Sequence, residues 1–319
     1  MAGMLGHLGI GKETTWGTAV AATDYIEAMS ESLATEIERF DTRNIVGGIY
    51  EADDSAGVRR HAGDLVFAAN PGNLGPFLLG AFGVNSVTEL AVGALFENHF
   101  TQTGVLTGSL NPLPSYTAEI FRPGGVDISS SFVYSGLQFN TLQIAVSPNQ
   151  DVRITAGAIG KAQTFITKTT PTFPNSPLQP FTFDTASVSI AGVAVTRVEA
   201  LTFDYNNNLE GIPTLNNDTE IAKIRRNGPA TTEISGTLEF EDHTDFNRFI
   251  SQSEHAIALN VVRASSFALL VEVPRAVLTA YPVSIPGRER LTVDFSMKGR
   301  YETGSGTAFS VKLTTTNTY

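Results

Sequence analysis

The sequence predicts a mainly β protein with a tandem pair of β-sandwich or barrel domains, each with one flanking α-helix and one long loop. The composition is typical of a soluble β protein, with 42% hydrophobic and only 17% charged residues, 29 glycines and 20 phenylalanines. A length of 319 residues exceeds the size at which one core usually stops growing, which favours two cores. The same order of elements also occurs twice along the chain.

A proline-rich segment at residues 168–180 separates the two copies. It carries Pro171, Pro174, Pro177 and Pro180, and this spacing is incompatible with a helix or a central strand. We therefore predict a first domain at residues 1–170, including an N-terminal arm, and a second at residues 171–319.

The repeated order begins with a strand, a long polar loop, a strand and a helix. In the first half these elements are predicted at 31–40, 41–62, 63–67 and 74–82. In the second half they are predicted at 199–205, 206–235, 236–240 and 244–252. The third element has the pattern Gly-x-Leu-x-Phe in both copies, and each loop contains an Arg-Arg pair before it. Phe246, Phe249 and Ile250 are predicted to share one face of the second helix.

Two further strands complete each predicted domain. The β segment at 115–121 corresponds to the one at 266–273. The last strands alternate apolar residues and align without a gap, from Val152 to Gly160 and from Leu291 to Gly299.

Charge and cysteine content exclude several classes of function. The net charge of −11 argues against a protein that binds nucleic acid through a basic face. The absence of cysteine excludes disulfides, thiolate metal sites and cysteine nucleophiles. No secretory signal is visible, and the longest apolar stretch, at 74–84, is about half the length that a membrane span needs.

Local motifs for catalysis or ligand binding are incomplete. The segment 6–13 resembles a phosphate-binding loop but has Glu13 where Ser or Thr is required, which favours a flexible glycine-rich arm. The segment 204–211 begins like a calcium loop, but its glycine falls two residues late. The acidic cluster at 239–245 is explained by capping of the second helix through Asp242 or Thr244. We therefore expect no catalytic residues, no metal and no cofactor.

Residues 9–18, Gly-Ile-Gly-Lys-Glu-Thr-Thr-Trp-Gly-Thr, resemble the opening of the phage tail tube (major tail) protein family of long non-contractile-tailed bacteriophages. Segments 198–209, 269–274 and 286–295 and a last strand ending near Asn317 are similar to that family in order and spacing. The resemblance covers essentially the whole chain. It implies a structural virion protein that is assembled in the host cytoplasm and polymerises as stacked rings into the hollow tail tube.

The resemblance also implies partners and site residues. The expected partners are further copies of the chain and the tape measure, terminator and distal tail proteins, while genomic DNA passes through without specific binding. The long loops are expected to stack neighbouring rings through Arg59, Arg60, Arg225 and Arg226. Carboxylates on the polar strand faces are expected to line the channel, because a negative lining lets DNA slide; the candidates are Glu36, Glu38, Asp204 and Asp294.

Internal duplication predicts the stoichiometry. Tube rings in this family are usually six-fold, so a chain with two copies of the ring unit closes a pseudo-six-fold ring with three subunits. Hexameric rings are the alternative. Two other functions stay open at this point: a tail terminator or related secretion-tube component, and a carbohydrate-binding or hydrolytic β-sandwich.

Overall fold

The computed structural model describes residues 5–41, 54–102, 113–124, 129–173, 179–263, 267–285, 287–288 and 290–319. The fold is mainly β, as the sequence predicts. The strands of the first half are β1 (His7–Lys12), β2 (Asp24–Ile26), β3 (Ala28–Glu31), β4 (Ala34–Asp41), β5 (Asp54–Ala68), β6 (Val84–Ala91), β7 (Leu95–Thr101), β8 (Tyr116–Phe121), β9 (Ser130–Val146), β10 (Arg153–Gly160) and β11 (Ala162–Thr167). Those of the second half are β12 (Ala186–Ile190), β13 (Val193–Val195), β14 (Val198–Asn206), β15 (Leu209–Ile212), β16 (Lys223–Arg226), β17 (Thr231–Glu239), β18 (Glu254–Arg263), β19 (Phe267–Ala280), β20 (Thr292–Gly299) and β21 (Ser310–Thr315). The helices are α1 (Gly75–Phe82) and α2 (Thr244–Ser251).

Both predicted helices form at the expected places. All residues of α1 are buried, and the helix ends at Gly83, whose φ of 85° places it in the left-handed region that favours glycine. Helix α2 packs Phe246 and Phe249 against the core. Ile250, predicted on the same face, is instead 64% exposed. No helix in the described part of the chain is long and apolar enough to cross a membrane.

Eight strands follow one another across one antiparallel sheet, called here the eight-stranded sheet, and its last strand, β19, also pairs with β18 and β21. Their order across the sheet is β4, β5, β10, β9, β14, β17, β20, β19. The first part of β9 leaves this sheet and pairs with β8 and β11 in a second sheet that also contains β1 and β2. The strands of the two halves of the chain therefore meet side by side at β9 and β14.

One hydrophobic core is shared by both halves of the chain. The ring of Phe82 at the end of α1 stacks on Tyr205 of β14 at a centroid distance of 5.0 Å and lies 5.3 Å from the ring of Phe309. Phe82 and Phe309 are almost fully buried, and Tyr205 is 3% exposed. The aromatic side chains thus connect the first helix to strands of the second half. The domain division near residue 170 stays a prediction.

Two of the sequence expectations for the first half are wrong. Segment 6–13 is not a flexible arm, because β1 lies between β2 and β8 and is almost entirely buried. Its glycines permit this close packing, since a Cβ at Gly9 would lie 2.6 Å from the Cβ of Ala22. The polar loop predicted at 41–62 is strand over its described residues 54–62, because β5 is 15 residues long and pairs with β4.

The second predicted loop, at 206–235, is also largely structured. It contains the two-stranded sheet of β15 and β16, and β17 begins inside it at Thr231. Polar sequence does not prevent these strands because Leu209, Ile221 and Ile224 form a small core of their own, against which Trp16 and Val58 pack. The described parts of both predicted loops therefore form strands that pair within the same chain.

The match between the two Gly-x-Leu-x-Phe strands is offset by two residues from the sheet register. Gly63 pairs with Ala158 of β10, and the counterpart of Ala158 in β20 is Met297. Met297 pairs with Ile234, not with Gly236. The last-strand alignment fits the pairing, whereas the Gly-x-Leu-x-Phe match is a coincidence of composition between two apolar strands.

The start of the proline-rich segment is anchored by a buried carboxylate. Glu119 of β8 is 2% exposed and accepts hydrogen bonds from the backbone N–H of Thr169 at 2.9 Å and from its hydroxyl at 2.7 Å. Burial raises the pKa of Glu119, but these hydrogen bonds outweigh it, so the pKa is lower than usual. Residues 174–178, with Pro174 and Pro177, lie outside the described residues.

Because the pKa of Glu119 is lowered, we expect the stability of the chain to decrease in acid. The pKa of Glu119 is lower in the folded chain than in the unfolded chain. The contribution of Glu119 to the free energy of unfolding is therefore fully present above the unfolded pKa of about 4.3, and it is lost as the pH falls through the folded pKa. We expect Glu119→Gln to destabilise the chain at pH 6 and the difference from wild type to shrink as the pH falls below the usual glutamate pKa of about 4.3. Urea unfolding at several pH values measures this, and exposed Glu27→Gln is the control. A difference that is independent of pH would contradict the assignment.

Candidate functional site: a polar sheet face and two arginine segments

The four carboxylates predicted to line a channel lie on one face of the eight-stranded sheet. Along β14, Leu201, Phe203 and Tyr205 are buried while Asp204 faces away from the core. Along β20, Val293 and Phe295 are buried and Asp294 is exposed between them. Glu36 and Glu38 lie on β4 at the end of the same sheet, on the face opposite Leu33. The strand pairing therefore brings together residues that are far apart in sequence.

The middle of this face is a polar row across four strands. Gln143, Asp204, Glu233 and Lys298 are consecutive partners in β9, β14, β17 and β20. The Gln143 amide donates to Asp204 Oδ1 at 2.7 Å. Asp64 of β5 and Thr155 of β10 line a shallow groove of about 370 Å³ together with residues of β9, β14 and β17. The face is thus continuous and hydrophilic.

Negative charge predominates on this polar face. Its described carboxylates are Glu36, Glu38, Asp64, Asp204, Glu233, Glu239 and Asp294, and its cationic residues are Arg60, Arg153 and Lys298. Some of these charges are paired: Arg60 binds Glu38, and Thr237 donates to Asp294 Oδ1 at 2.7 Å. The sequence reasoning missed Asp64 and Glu233. The alternation of Thr231, Glu233 and Ser235 with buried neighbours in β17 is the signal that identifies Glu233.

The first arginine pair lies in a strand, and each arginine has a partner within the chain. Arg60 forms an ion pair with Glu38 of the neighbouring strand. The backbone N–H of Arg59 donates to the carbonyl of Thr219 at 2.8 Å, and its Nη1 lies 3.6 Å from Glu220. Both side chains are about half exposed. Solvent-exposed ion pairs of this kind contribute little to stability, so these guanidinium groups are available for other contacts.

Both arginines of the second pair are half-buried, and one of them has hydrogen-bond partners inside the chain. Arg225 and Arg226 lie on β16, opposite Glu210 and Leu209. Arg226 donates from Nη1 to the carbonyl of Asn207 at 3.1 Å and from Nη2 to its Oδ1 at 2.7 Å. Arg226 is therefore committed to a contact inside the chain and is a poor candidate for stacking. The structure brings Arg59, but not Arg226, toward the segment around Glu220.

Glu13 is the main polar site that the sequence reasoning missed. It is 7% exposed and accepts four hydrogen bonds, from the N–H groups of Gly17 and Gly136 and the hydroxyls of Ser115 and Thr117, at 2.7 to 2.9 Å. Trp16 donates from Nε1 to the carbonyl of Gly136 at 3.1 Å. Glu13 and Trp16 of the segment 9–18 thus fasten the turn after β1 onto β8 and β9.

The incomplete ligand motifs have structural roles. Thr244 donates its backbone N–H to Asp242 Oδ1 at 2.7 Å, so Asp242 caps the start of α2 and this contact lowers its pKa. Asp245 binds Arg197 and Arg248. Asn208 has a φ of 51°, a turn conformation that asparagine tolerates, and it follows the end of β14. No group of three or more potential metal ligands occurs among the described residues.

The described polar surface is an extended sheet face, and the polar clusters cap or fasten elements of the chain itself, an arrangement that is typical of structural proteins. The family model for phage tail tube protein matches residues 3–297. The chain belongs to the phage tail tube protein family, a family of structural proteins of the virion tail. No curated protein matches the chain.

Proposed function

We propose that this protein polymerises as stacked rings into the hollow tail tube through which the phage DNA passes. The observation that supports this most strongly is the eight-stranded sheet, which buries one face in the core and presents a predominantly acidic face on the other. Such a face suits a channel lining, because DNA carries about one negative charge per 1.7 Å of axis and a basic surface would hold it. Glu36, Glu38, Asp204 and Asp294 are the proposed lining residues.

The number of strands in the sheet is consistent with a ring of three chains. If each chain contributes eight strands, three chains contribute twenty-four. A closed barrel of that size, with strands about 4.8 Å apart and tilted by about 40°, has a backbone diameter of about 48 Å. This leaves space for a DNA duplex and the lining side chains. The internal duplication of the chain then supplies the pseudo-six-fold symmetry of the ring.

Stacking between rings is proposed at the hairpin of β4 and β5. Its apolar side chains Ile37 and Phe40 are 49% and 57% exposed, and Arg59 and Arg60 lie on its second strand. Arg225 is the remaining candidate on β16. The residues that connect β4 and β5 lie outside the described residues. The tape measure, terminator and distal tail proteins are the further partners that we propose, at the two ends of the tube.

Electron microscopy of the purified protein tests the proposal. We expect long hollow tubes of stacked rings, in which each ring contains three chains and Asp204 and Asp294 face the channel. Single closed rings that never extend would indicate a tail terminator, and six chains per ring would contradict the trimer. Monomers that bind oligosaccharides would favour the carbohydrate-binding alternative. Growth after addition of a tail initiator would still support the tube.

A further inference from the structure

Both ends of this row of eight strands have an unpaired strand edge in the described structure. These edges are the outer edge of β4 and the outer edge of the chain after Val277, where the pairing of β19 with β18 stops. At one end, β4 pairs only with β5 among the described residues. At the other, β19 pairs with β20 through Ala280, and the chain continues through 281–285 without a strand partner in the described structure. Exposed strand edges in natural proteins are usually covered or paired, so both ends need an explanation.

The strand pair at the β19 end of the sheet has a counterpart inside the sheet. Strands β9 and β10 correspond to β19 and β20, because both pairs share a bulge at the same place. The residues that the bulges leave unpaired are Asn140 and Thr279, which lie 139 positions apart, as do Ala158 and Met297 beside them. The counterpart of β9 residues 141–146 is therefore the segment 280–285.

The other end has a counterpart in β14. Val198 and Tyr205 of β14 pair with Leu238 and Thr232 of β17. In the first half, Ala28 of β3 and Thr35 of β4 pair in the same pattern with Phe67 and His61 of β5. Ala28 lies 170 positions before Val198, and Thr35 lies 170 positions before Tyr205. Strand β14 thus occupies, in the second half, the place of β3 and β4 in the first.

Inside the chain these two counterparts are joined. The backbone N–H of Asn207, directly after β14, donates to the carbonyl of Asn140 in β9 at 2.7 Å, and the ladder continues through Tyr205–Leu142 and Phe203–Ile144. Each residue of this ladder has a counterpart at one of the two free edges. If the counterparts pair in the same register, Ile37 pairs with Thr279, Thr35 with Tyr281 and Leu33 with Val283. We propose that β4 of one chain adds to segment 279–285 of a second copy, in this register.

The apolar pattern of the free segment supports this partner. In β9, Leu142, Ile144 and Val146 alternate and are at most 8% exposed. Their counterparts Tyr281, Val283 and Ile285 alternate in the same way, but Val283 is 40% and Ile285 84% exposed. A strand laid along this segment would cover the two aliphatic side chains as β14 covers those of β9.

The one proline in the segment does not oppose the pairing. Pro282 corresponds to Gln143, which lies between the residues whose backbone groups face β14. In an antiparallel ladder, alternate residues direct their N–H and C=O groups to opposite sides. The missing N–H of Pro282 therefore falls on the side away from the proposed partner.

Side chains protect one position of the free edge in the single chain. The N–H of Leu33 donates to Glu31 Oε2 at 3.2 Å, and the Leu33 carbonyl accepts from the Tyr134 hydroxyl at 3.0 Å and from Arg122. Pairing of Leu33 with Val283 requires exchange of these contacts. The pairs formed by Thr35 and Ile37 have no such competitor among the described residues, so association begins there.

Disulfide cross-linking tests the register, and the absence of cysteine makes the background clean. Glu36 and Ala280 are both exposed and correspond to the directly opposed, non-hydrogen-bonded pair Asn206 and Thr141. Within one chain the two positions are seven strands apart in the sheet, which is too far for a disulfide. We expect Glu36→Cys with Ala280→Cys to give, on oxidation, covalent species that end at three chains. Each single variant gives dimers at most.

Controls separate this interface from the tube itself, on which the proposal rests. Glu36→Cys with Ser284→Cys moves the second cysteine four residues along the segment and is expected to cross-link poorly. Equal cross-linking of the two pairs, or none in a sample that forms tubes, would overturn the interface and leave the tube standing. Cross-linked rings that never stack would support the interface and contradict the tube. Absence of both tubes and cross-links would contradict both.

A second variant tests the apolar contact independently of disulfide chemistry. Val283→Lys with Ile285→Lys is expected to keep the chain monomeric in size-exclusion chromatography, with an unchanged urea midpoint, because both side chains are exposed in the single chain. Val193→Lys, at a position 65% exposed on β13, is the matched control and should assemble normally. Normal assembly of the double lysine variant would overturn the proposal.

Discussion

Glu13→Ala is expected to lower the free energy of unfolding by about 4 kcal/mol. The substitution leaves four donors facing an empty buried site, and the N–H groups of Gly17 and Gly136 are fixed by the backbone and cannot turn elsewhere. Each unsatisfied buried donor costs about 1 to 3 kcal/mol, and the hydroxyls of Ser115 and Thr117 recover part of the loss by rotating. Urea unfolding followed by circular dichroism gives the value.

Two further variants make the result specific to the hydrogen bonds. Glu13→Gln keeps one acceptor oxygen and turns an amide toward two donors, so we expect a loss between that of Glu13→Ala and zero. Glu27→Ala removes an exposed carboxylate and should change the stability by less than about 0.5 kcal/mol. A loss below about 1 kcal/mol for Glu13→Ala would show that the four contacts do not hold the turn after β1.

The elements that the sequence predicts best are those in which apolar residues occupy alternate positions. β10 and β20 are found at the expected places because the residues on one side face the core and those on the other face solvent. The same alternation predicts the direction of Asp204 and Asp294. That both carboxylates lie on one face with Glu36 could not be known from sequence, because strand order is set by long-range pairing through β9 and β14.

The predictions that fail involve residues whose environment comes from distant parts of the chain. Segment 6–13 resembles a flexible arm in isolation, yet β8, more than a hundred residues later, pairs with it along its whole length. The polar segment 206–235 resembles a loop, yet Ile221 and Ile224 find apolar partners near Trp16. Local composition cannot report such partners. Glu13 was missed for the same reason, since three of its four donors, Ser115, Thr117 and Gly136, lie more than a hundred residues later in the chain.

Asn207→Leu is expected to destabilise the chain by about 4 kcal/mol, because Asn207 joins the two halves at a fully buried point. Its amide donates to the carbonyls of Ala81 at 2.9 Å and Phe139 at 3.0 Å, and its Oδ1 accepts from Arg226 at 2.7 Å. Leucine has a similar volume but leaves these groups without partners. Urea unfolding measures the loss, and exposed Asn216→Leu is the control.

Arg226→Ala then separates an internal role of this arginine from ring stacking. If the role of Arg226 is to hydrogen-bond Asn207, Arg226→Ala lowers the free energy of unfolding of the single chain by about 2 kcal/mol. The losses from Arg226→Ala and Asn207→Leu are then not additive in the double variant, because both substitutions remove the same contact. A stacking residue would behave differently, with normal stability of the single chain and defective tubes. Arg225→Ala is the matched comparison on the same strand, and we expect it to leave the stability of the single chain within about 0.5 kcal/mol. If Arg226→Ala leaves the free energy of unfolding unchanged and the effects in the double variant are additive, the result would favour a role of Arg226 in ring stacking.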